Sequence, residues 1–247
     1  MAQRPPLSGG DPVGYQSAEA AAGSHQGRLN SLRAAVLGAN DGIVSTAGIV
    51  IGVAGATTDA FAILAAGVAG LTAGALSMAV GEYVSVSAQR DTEQALLDLE
   101  RRELAEMPEE ELAELADLYV QKGLAPQLAR QVAEQLHAHD ALAAHAETEL
   151  GIDPNDLTNP WVAAFSSAIS FTVGSILPLL AIVLAPADSK LIVTVLAVVA
   201  ALVLTGFLSA RAGGTRVARA IVRNVVGGLL AMAVTYGIGR LVGHTLG

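Results

Sequence analysis

The sequence predicts an all-α membrane protein in which five transmembrane helices are interrupted by an inserted soluble helical module. Three observations carry this. The stretches 60–81, 157–187, 191–210 and 224–239 contain no Asp, Glu, Lys or Arg, and a fifth, 34–58, is broken only by Asp41; about 20 apolar residues span a hydrocarbon core. Seventeen of the 23 acidic residues fall between Asp91 and Asp156. Finally, 52% of residues are hydrophobic, only 15% are charged, and the mean hydropathy is +0.51, a balance foreign to soluble domains of this size.

In chain order, residues 1–28 are rich in Gly, Pro, Ser and Ala without an apolar core, which predicts a disordered cytoplasmic tail and no cleavable signal. Residues 29–90 hold spans one and two, 91–156 the acidic module, and 157–247 spans three to five. The last apolar run is short and reaches to about Val242 if Arg240 snorkels to the interface. Orientation follows from the bases. Arg28 and Arg33 precede span one, Arg90 follows span two, and Arg211, Arg216, Arg219 and Arg223 fill the loop between spans four and five. The positive-inside bias therefore places the N-terminus and the acidic module in the cytoplasm and the C-terminus outside. The absence of cysteine excludes disulfides and thiolate ligands. Gly48 and Gly52, Gly70 and Gly74, and Gly239 and Gly243 form small-xxx-small pairs that permit close helix crossings.

Two groups of residues carry chemistry. Within the apolar spans, Asp41 in Asn40-Asp41-Gly42 must face a partner, water or an ion, because an unpaired carboxylate there costs at least about 2.5 kcal/mol. Met78 and Glu82 are four apart and share a helical face, setting a thioether beside a carboxylate. That pairing suits borderline cations such as Fe2+, Co2+ or Zn2+ better than Mg2+ or Ca2+. The plainer alternatives are a packing role for Met78 and an interfacial one for Glu82.

In the acidic module, span two is expected to continue as a helix past Arg90. Glu100 and Glu103 form one Glu-x-x-Glu pair and Glu111 and Glu114 another, each on one helical face. Pro108 followed by Glu109, Glu110 and Glu111 reads as the first turn of a new helix, so the pairs stand on different helices able to face each other. A third helix is predicted over 126–150, with Leu128, Val132, Leu136, Leu142 and Leu150 as packing positions. Its His145 and Glu149 share a face and add an imidazole to an oxygen-rich cluster. The bland reading of each Glu is a solvated surface, and His25, His137 and His139 read as ordinary exposed residues.

Asn40-Asp41-Gly42-Ile43-Val44-Ser45, Ser77-Met78-Ala79-Val80-Gly81-Glu82-Tyr83-Val84-Ser85 and Asn159-Pro160-Trp161 together resemble the signatures of vacuolar iron transporters, over roughly residues 29–245. The resemblance implies a five-span homodimer whose second helix enters a cytoplasmic three-helix metal-binding domain, exporting Fe2+ from the cytosol in exchange for protons. It implies Asp41 and Met78 on the ion path with Glu82 nearby, and Glu100, Glu103, Glu111, Glu114 and Glu149 as carboxylate ligands. Where plant members carry a Met pair, this chain has His145-Ala146, so imidazole replaces sulfur. Members proposed to move Mn2+ belong to the same family.

The expected partners are thus the lipid bilayer, divalent metal ions (Fe2+, with Mn2+, Zn2+ and Co2+ as alternatives), protons and a second copy of the chain. Neither a cofactor nor a nucleic acid is expected, and the expected home is a bacterial inner membrane, or a vacuolar membrane in a eukaryote. Two other classes stay open. Glu134-Gln135-Leu136-His137 matches the Glu-x-x-His element of ferritin-like iron oxidases, although such bundles need two of these motifs. A metal-gated channel or sensor for Mn2+ or Mg2+ would use the Glu cluster only to report cytosolic metal.

Overall fold

The computed structural model describes residues 35–246, so the tail 1–28, Arg33 and His25 lie outside the described residues. Every regular element within them is helical. Seven α-helices follow in order: α1 Ala35–Ala56, α2 Ala60–Glu106, α3 Pro108–Gln121, α4 Pro126–His145, α5 Pro160–Leu184, α6 Lys190–Ala212 and α7 Val217–Leu246. A π-turn, Ala146–Leu150, continues α4, and a 3-10 turn, Ala187–Ser189, precedes α6. Five of the helices, α1, α2, α5, α6 and α7, are long and apolar enough to cross a membrane. At 1.5 Å per residue the 47 residues of α2 run for roughly 70 Å, more than twice a hydrocarbon core, and only its charge-free part to Gly81 suits lipid.

The described residues divide into two compact units, one formed by 35–79 and 165–246, the other by 80–164. In the first, Ile43, Ala47, Val50 and Ile51 of α1 form a core with Ile63, Ile182, Val198, Leu202 and Met232 from the other spans. The outward faces are apolar too. Ile169 and Val173 of α5, and Ile192, Leu196 and Leu204 of α6, stand at helical spacing and are exposed, a surface suited to lipid and not to water.

Glycine sets how closely the helices cross. A Cβ on Gly42 would overlap the carbonyl oxygen of Phe171, one on Gly174 that of Ala39, one on Gly239 that of Gly52, and one on Gly243 the Ala56 backbone. Thus α1 is pressed backbone to backbone against α5 on one side and α7 on the other, the small-residue packing typical of membrane helices. Ser175 adds a buried hydrogen bond, its hydroxyl donating to the Gly42 carbonyl at 3.2 Å and to that of Phe171 at 2.8 Å.

In the second unit, α3 opens with Pro108 at its first position and Glu109, Glu110 and Glu111 in its first turn, where fixed φ and the helix dipole favour them. Asn159 caps α5, its Oδ1 accepting from the backbone N–H of Trp161 at 3.0 Å and of Val162 at 3.4 Å. The Trp161 ring then packs against Tyr83 at 4.7 Å between centroids.

Three expectations need correction. Arg219 and Arg223 are not loop residues, because α7 begins at Val217; only Arg216 lies in the turn, with Arg211 closing α6. The stretch 126–150 is not one regular helix. Asp140 has φ −156° and ψ 96°, and its Oδ1 accepts from the backbone N–H of Ala143 at 3.0 Å, which makes it the N-cap of a short second segment. Nor is the Leu series its core. Leu128 and Leu136 are 51% and 36% exposed, while Ala129, Ala133, Ala144 and His145 are buried. The buried positions of α4 are three small side chains and one imidazole.

The glycine crossings generate a sharp contrast between two positions on α7. Gly239→Val forces the α1 and α7 backbones apart and should lower the unfolding free energy by about 1–3 kcal/mol, the range typical of overpacking. A Cβ at Gly237 meets nothing within 4 Å, so Gly237→Ala should leave stability unchanged or raise it by roughly 0.5–1 kcal/mol. Thermal unfolding in detergent distinguishes them, and equal melting of the two variants would refute the close crossing.

Candidate metal centre

The acidic unit gathers its ligand-type side chains from three elements. Glu100 comes from α2, Glu111 from the first turn of α3, and His145 from the end of α4; their donor atoms lie within 4.8 Å of one another. All three are buried, at 3%, 6% and 0% exposure. His145 Nδ1 stands 3.0 Å from Glu100 Oε1 and 3.6 Å from Glu111 Oε2. Even so, Glu100 Oε1 and both His145 ring nitrogens lack a hydrogen bond of acceptable geometry. Buried polar atoms are seldom left in that state. Here Glu100 Oε1 and His145 Nδ1 face each other beside Glu111, while His145 Nε2 lies on the other side of the ring.

The electrostatics explain why these contacts do not form an ordinary ion pair. Burial is the main cause raising Glu100 from 4.5 to about 7, with repulsion from Glu149, Glu111, Glu103 and Glu114 added. Burial followed by repulsion from Glu114, Glu103, Glu149 and Glu110 raises Glu111, and partial burial with Glu114 and Glu103 raises Glu149. Neighbouring carboxylates favour a charged imidazole, yet burial, helped by His137, drives His145 down. The cluster therefore holds excess negative charge around a neutral imidazole, and stays compact either by keeping protons on its carboxyls or by taking a cation.

Each residue named from the sequence can now be placed. The two Glu-x-x-Glu pairs do stand on different helices, α2 and α3. Glu100 and Glu111 form the buried centre with His145, while Glu103 is partly buried and Glu114 and Glu149 lie at the exposed rim, all three within electrostatic reach. His145 and Glu149 are separated by the π-turn, so a spacing of four no longer stacks them as on an α-helix. Gly151, at φ 67°, ends that turn in the left-handed region that favours glycine. His137 was misread as an ordinary exposed residue: its Nδ1 is enclosed without a partner, and its ring is 5.7 Å from that of His145. A spacing of eight gives no hint of this.

In the membrane-type unit, Asp41 and Met78 line one open pocket of about 550 Å³ with Asn40, Arg223, Asn224 and Gly227. Ser45 Oγ donates to Asp41 Oδ1 at 2.9 Å, and Thr205 Oγ1 donates to Asn40 Oδ1 at 3.3 Å. One Asp41 oxygen is thus anchored by its own helix. The loop assignment of Arg223 hides its place here, and Asn224, the first residue of the fifth apolar stretch, gives no signal of its own. Glu82 is half-buried on the portion of α2 in the other unit.

A family model described as the VIT family matches residues 32–240. The chain belongs to the VIT family. It is 44% identical over 216 residues to the vacuolar iron transporter of Acanthamoeba castellanii, covering 87% of this chain and 80% of that protein. It is also 38% identical to vacuolar iron transporter homolog 2.1 of Arabidopsis thaliana, covering 87% and 83% of the two chains. Vacuolar iron transporter homolog 1 of Oryza sativa subsp. japonica is 37% identical over 94% of this chain and 87% of its own length. The joined motifs around Asp41, Met78 and Trp161 thus identified the family correctly.

A carboxylate donor set whose central member is pushed up to about 7 by burial makes cation binding compete with protons. Mn2+ affinity of the purified protein should fall about tenfold in all as pH drops from 8 to 6 through the raised Glu100 carboxyl alone, at about 7, and Glu100→Gln should weaken it at least about tenfold while flattening the profile. Without metal, the raised Glu100 contributes stability that is complete below 4.5 and lost as pH rises through about 7. Bound cation reverses that loss. Calorimetric titration and melting across this range test both effects; pH-independent affinity would contradict competition at the cluster.

Proposed function

We propose that this VIT-family chain is a divalent transition-metal transporter that exports Fe2+, with Mn2+ as a second substrate, from the cytosol in exchange for protons. The observation that carries the reading is the buried convergence of Glu100, Glu111 and His145 with unpartnered donor atoms, in a chain with five helices able to span a bilayer. The names of its relatives support iron as cargo. Two carboxylates and an imidazole suit borderline and hard divalent ions alike, which is consistent with Fe2+, Mn2+, Zn2+ or Co2+ entering the site.

On this reading residues 91–156 form the cytoplasmic metal-binding domain. Glu100, Glu111 and His145 take the ion directly, and Glu103, Glu114 and Glu149 attract it and complete its coordination. In the membrane-type unit Asp41 supplies charge and Met78 a soft donor to the partly dehydrated ion, with Glu82 assisting. Ser45 holds Asp41 while its second oxygen remains available, so an arriving cation can displace a proton there. The arginines of 211–223 keep the N-terminus and acidic domain on the cytoplasmic side. A homodimer is part of the proposal: only 11% of the apolar window of α2 is buried within the chain, leaving a face for a second copy or for lipid.

Against the oxidase alternative, Glu134 of the Glu-x-x-His element is half-exposed and paired with Arg130 at 2.9 Å. The transporter reading is tested in liposomes carrying an internal pH dye. Imposed Fe2+ or Mn2+ gradients should drive proton movement, and Asp41→Asn should reduce metal flux and proton movement more than tenfold while size-exclusion behaviour is retained. Metal flux without proton movement would establish a channel, and full transport by Asp41→Asn would remove that residue from the mechanism.

A further inference from the structure

His137 and His145 are eight residues apart, a separation of about 12 Å along an unbroken α-helix. Their ring centroids are 5.7 Å apart in a T-shaped arrangement. The break at Asp140 is what brings the rings together. Three buried imidazole nitrogens there have no partner: His137 Nδ1, His145 Nδ1 and His145 Nε2. His145 Nδ1 already faces Glu100 and Glu111. A neutral imidazole has one donor and one acceptor nitrogen, so if Nδ1 is to accept a cation, the proton sits on Nε2 and needs an acceptor in an enclosed site. The His137 ring meets that of His145 in an edge contact, and its buried, unpartnered Nδ1 can serve as that acceptor.

We infer that His137 is a positioning residue of the ion site: its Nδ1 accepts the Nε2–H of His145, fixing the tautomer that presents His145 Nδ1 to a divalent cation between Glu100 and Glu111. The inference rests on the proposed reading of this cluster as the ion-capture site. It accounts for two orphaned nitrogens with one hydrogen bond, and a modest side-chain closure suffices, because rings joined by an N–H···N bond have centroids roughly 5 Å apart at ordinary hydrogen-bond lengths. Metal-bound imidazoles nearly always donate their second N–H in this way, and losing the acceptor typically weakens binding 10–100-fold. His137 does for His145 what a carboxylate or carbonyl does elsewhere. Asp140 serves the same end by capping the segment that turns His145 inward.

The test uses the full chain in liposomes with isotope-labelled histidines, of which there are five, and Zn2+ as a diamagnetic probe. His145 should be protonated on Nε2 before metal is added, and its Nδ1 resonance should move on Zn2+ binding. His137→Ala should weaken Zn2+ binding about 10–100-fold, and His137→Asn, whose Oδ1 keeps an acceptor, should restore it to within several-fold. Wild-type affinity in His137→Ala, an Nδ1-protonated His145, or failure of a folded His137→Asn to rescue would each overturn the inference. If both variants misfold, the wild-type tautomer decides alone. Were the wild type to bind no Zn2+, Fe2+ or Mn2+, the capture reading would fall with transport left to be judged separately, whereas intact binding in His137→Ala would sink only the role of His137.

Discussion

The acidic unit is organised around an electrostatic conflict: two carboxyls are buried against a neutral imidazole, and among the described residues no Lys or Arg pairs with them. Isolated carboxylates are driven out of protein interiors unless something neutralises them. Glu100 and Glu111 nonetheless sit at 3% and 6% exposure, beside a fully enclosed His145. Hydrophobic packing around them is light, with Leu115, Ala116, Ala133 and Ala144 forming the buried cluster. Such a unit cannot absorb repulsion by mass of core. Its compactness depends on what occupies the centre, protons or a cation, and that dependence converts a structural weakness into ion sensitivity.

The backbone irregularities in the same unit follow from the need to aim His145. An uninterrupted helix from Pro126 would carry residues 137 and 145 far apart. Asp140 leaves helical φ/ψ and caps the next segment through the Ala143 amide, and the π-turn beyond it ends at Gly151. Neither feature stabilises a helix. Irregular turns inside otherwise helical segments concentrate at functional positions, and these two flank the one imidazole in the buried centre.

The sequence disclosed properties that each residue carries alone and concealed those made jointly. Absence of charge over 60–81 or 191–210 is local and sufficient, so the spans were legible. Pro108 with three following glutamates carries its own helix-start signal, so the division between the Glu pairs was legible as well. The Asp140 break was not, because Asp among Ala, His and Leu reads as an ordinary solvated helix position until its side chain is seen on the Ala143 amide. The Leu series misled for a related reason. Periodicity identifies an apolar face without saying which neighbour it meets; Ala129 and Ala133 are buried instead, Ala133 against Leu115 and Ala116 of α3. His137 required both corrections before its relation to His145 could exist.

The two candidate ion sites differ in the kind of selectivity that their donors can provide. Glu100, Glu111 and His145 offer oxygen and nitrogen in a negatively charged, enclosed cluster, favouring divalent charge strongly and discriminating weakly among Mn2+, Fe2+, Co2+ and Zn2+. Asp41 and Met78 line a more open pocket with Asn40 and Arg223. There a guanidinium shares the cavity with the carboxylate, so a cation must supply enough interaction to displace water despite a resident positive charge. A thioether adds little for Mg2+ or Ca2+ and more for Fe2+. On the proposed reading, charge selection therefore belongs to the acidic unit and exclusion of hard abundant cations to the membrane-type unit. Replacing a soft ligand by His145 in the first then need not alter the substrate of the second, which retains Met78.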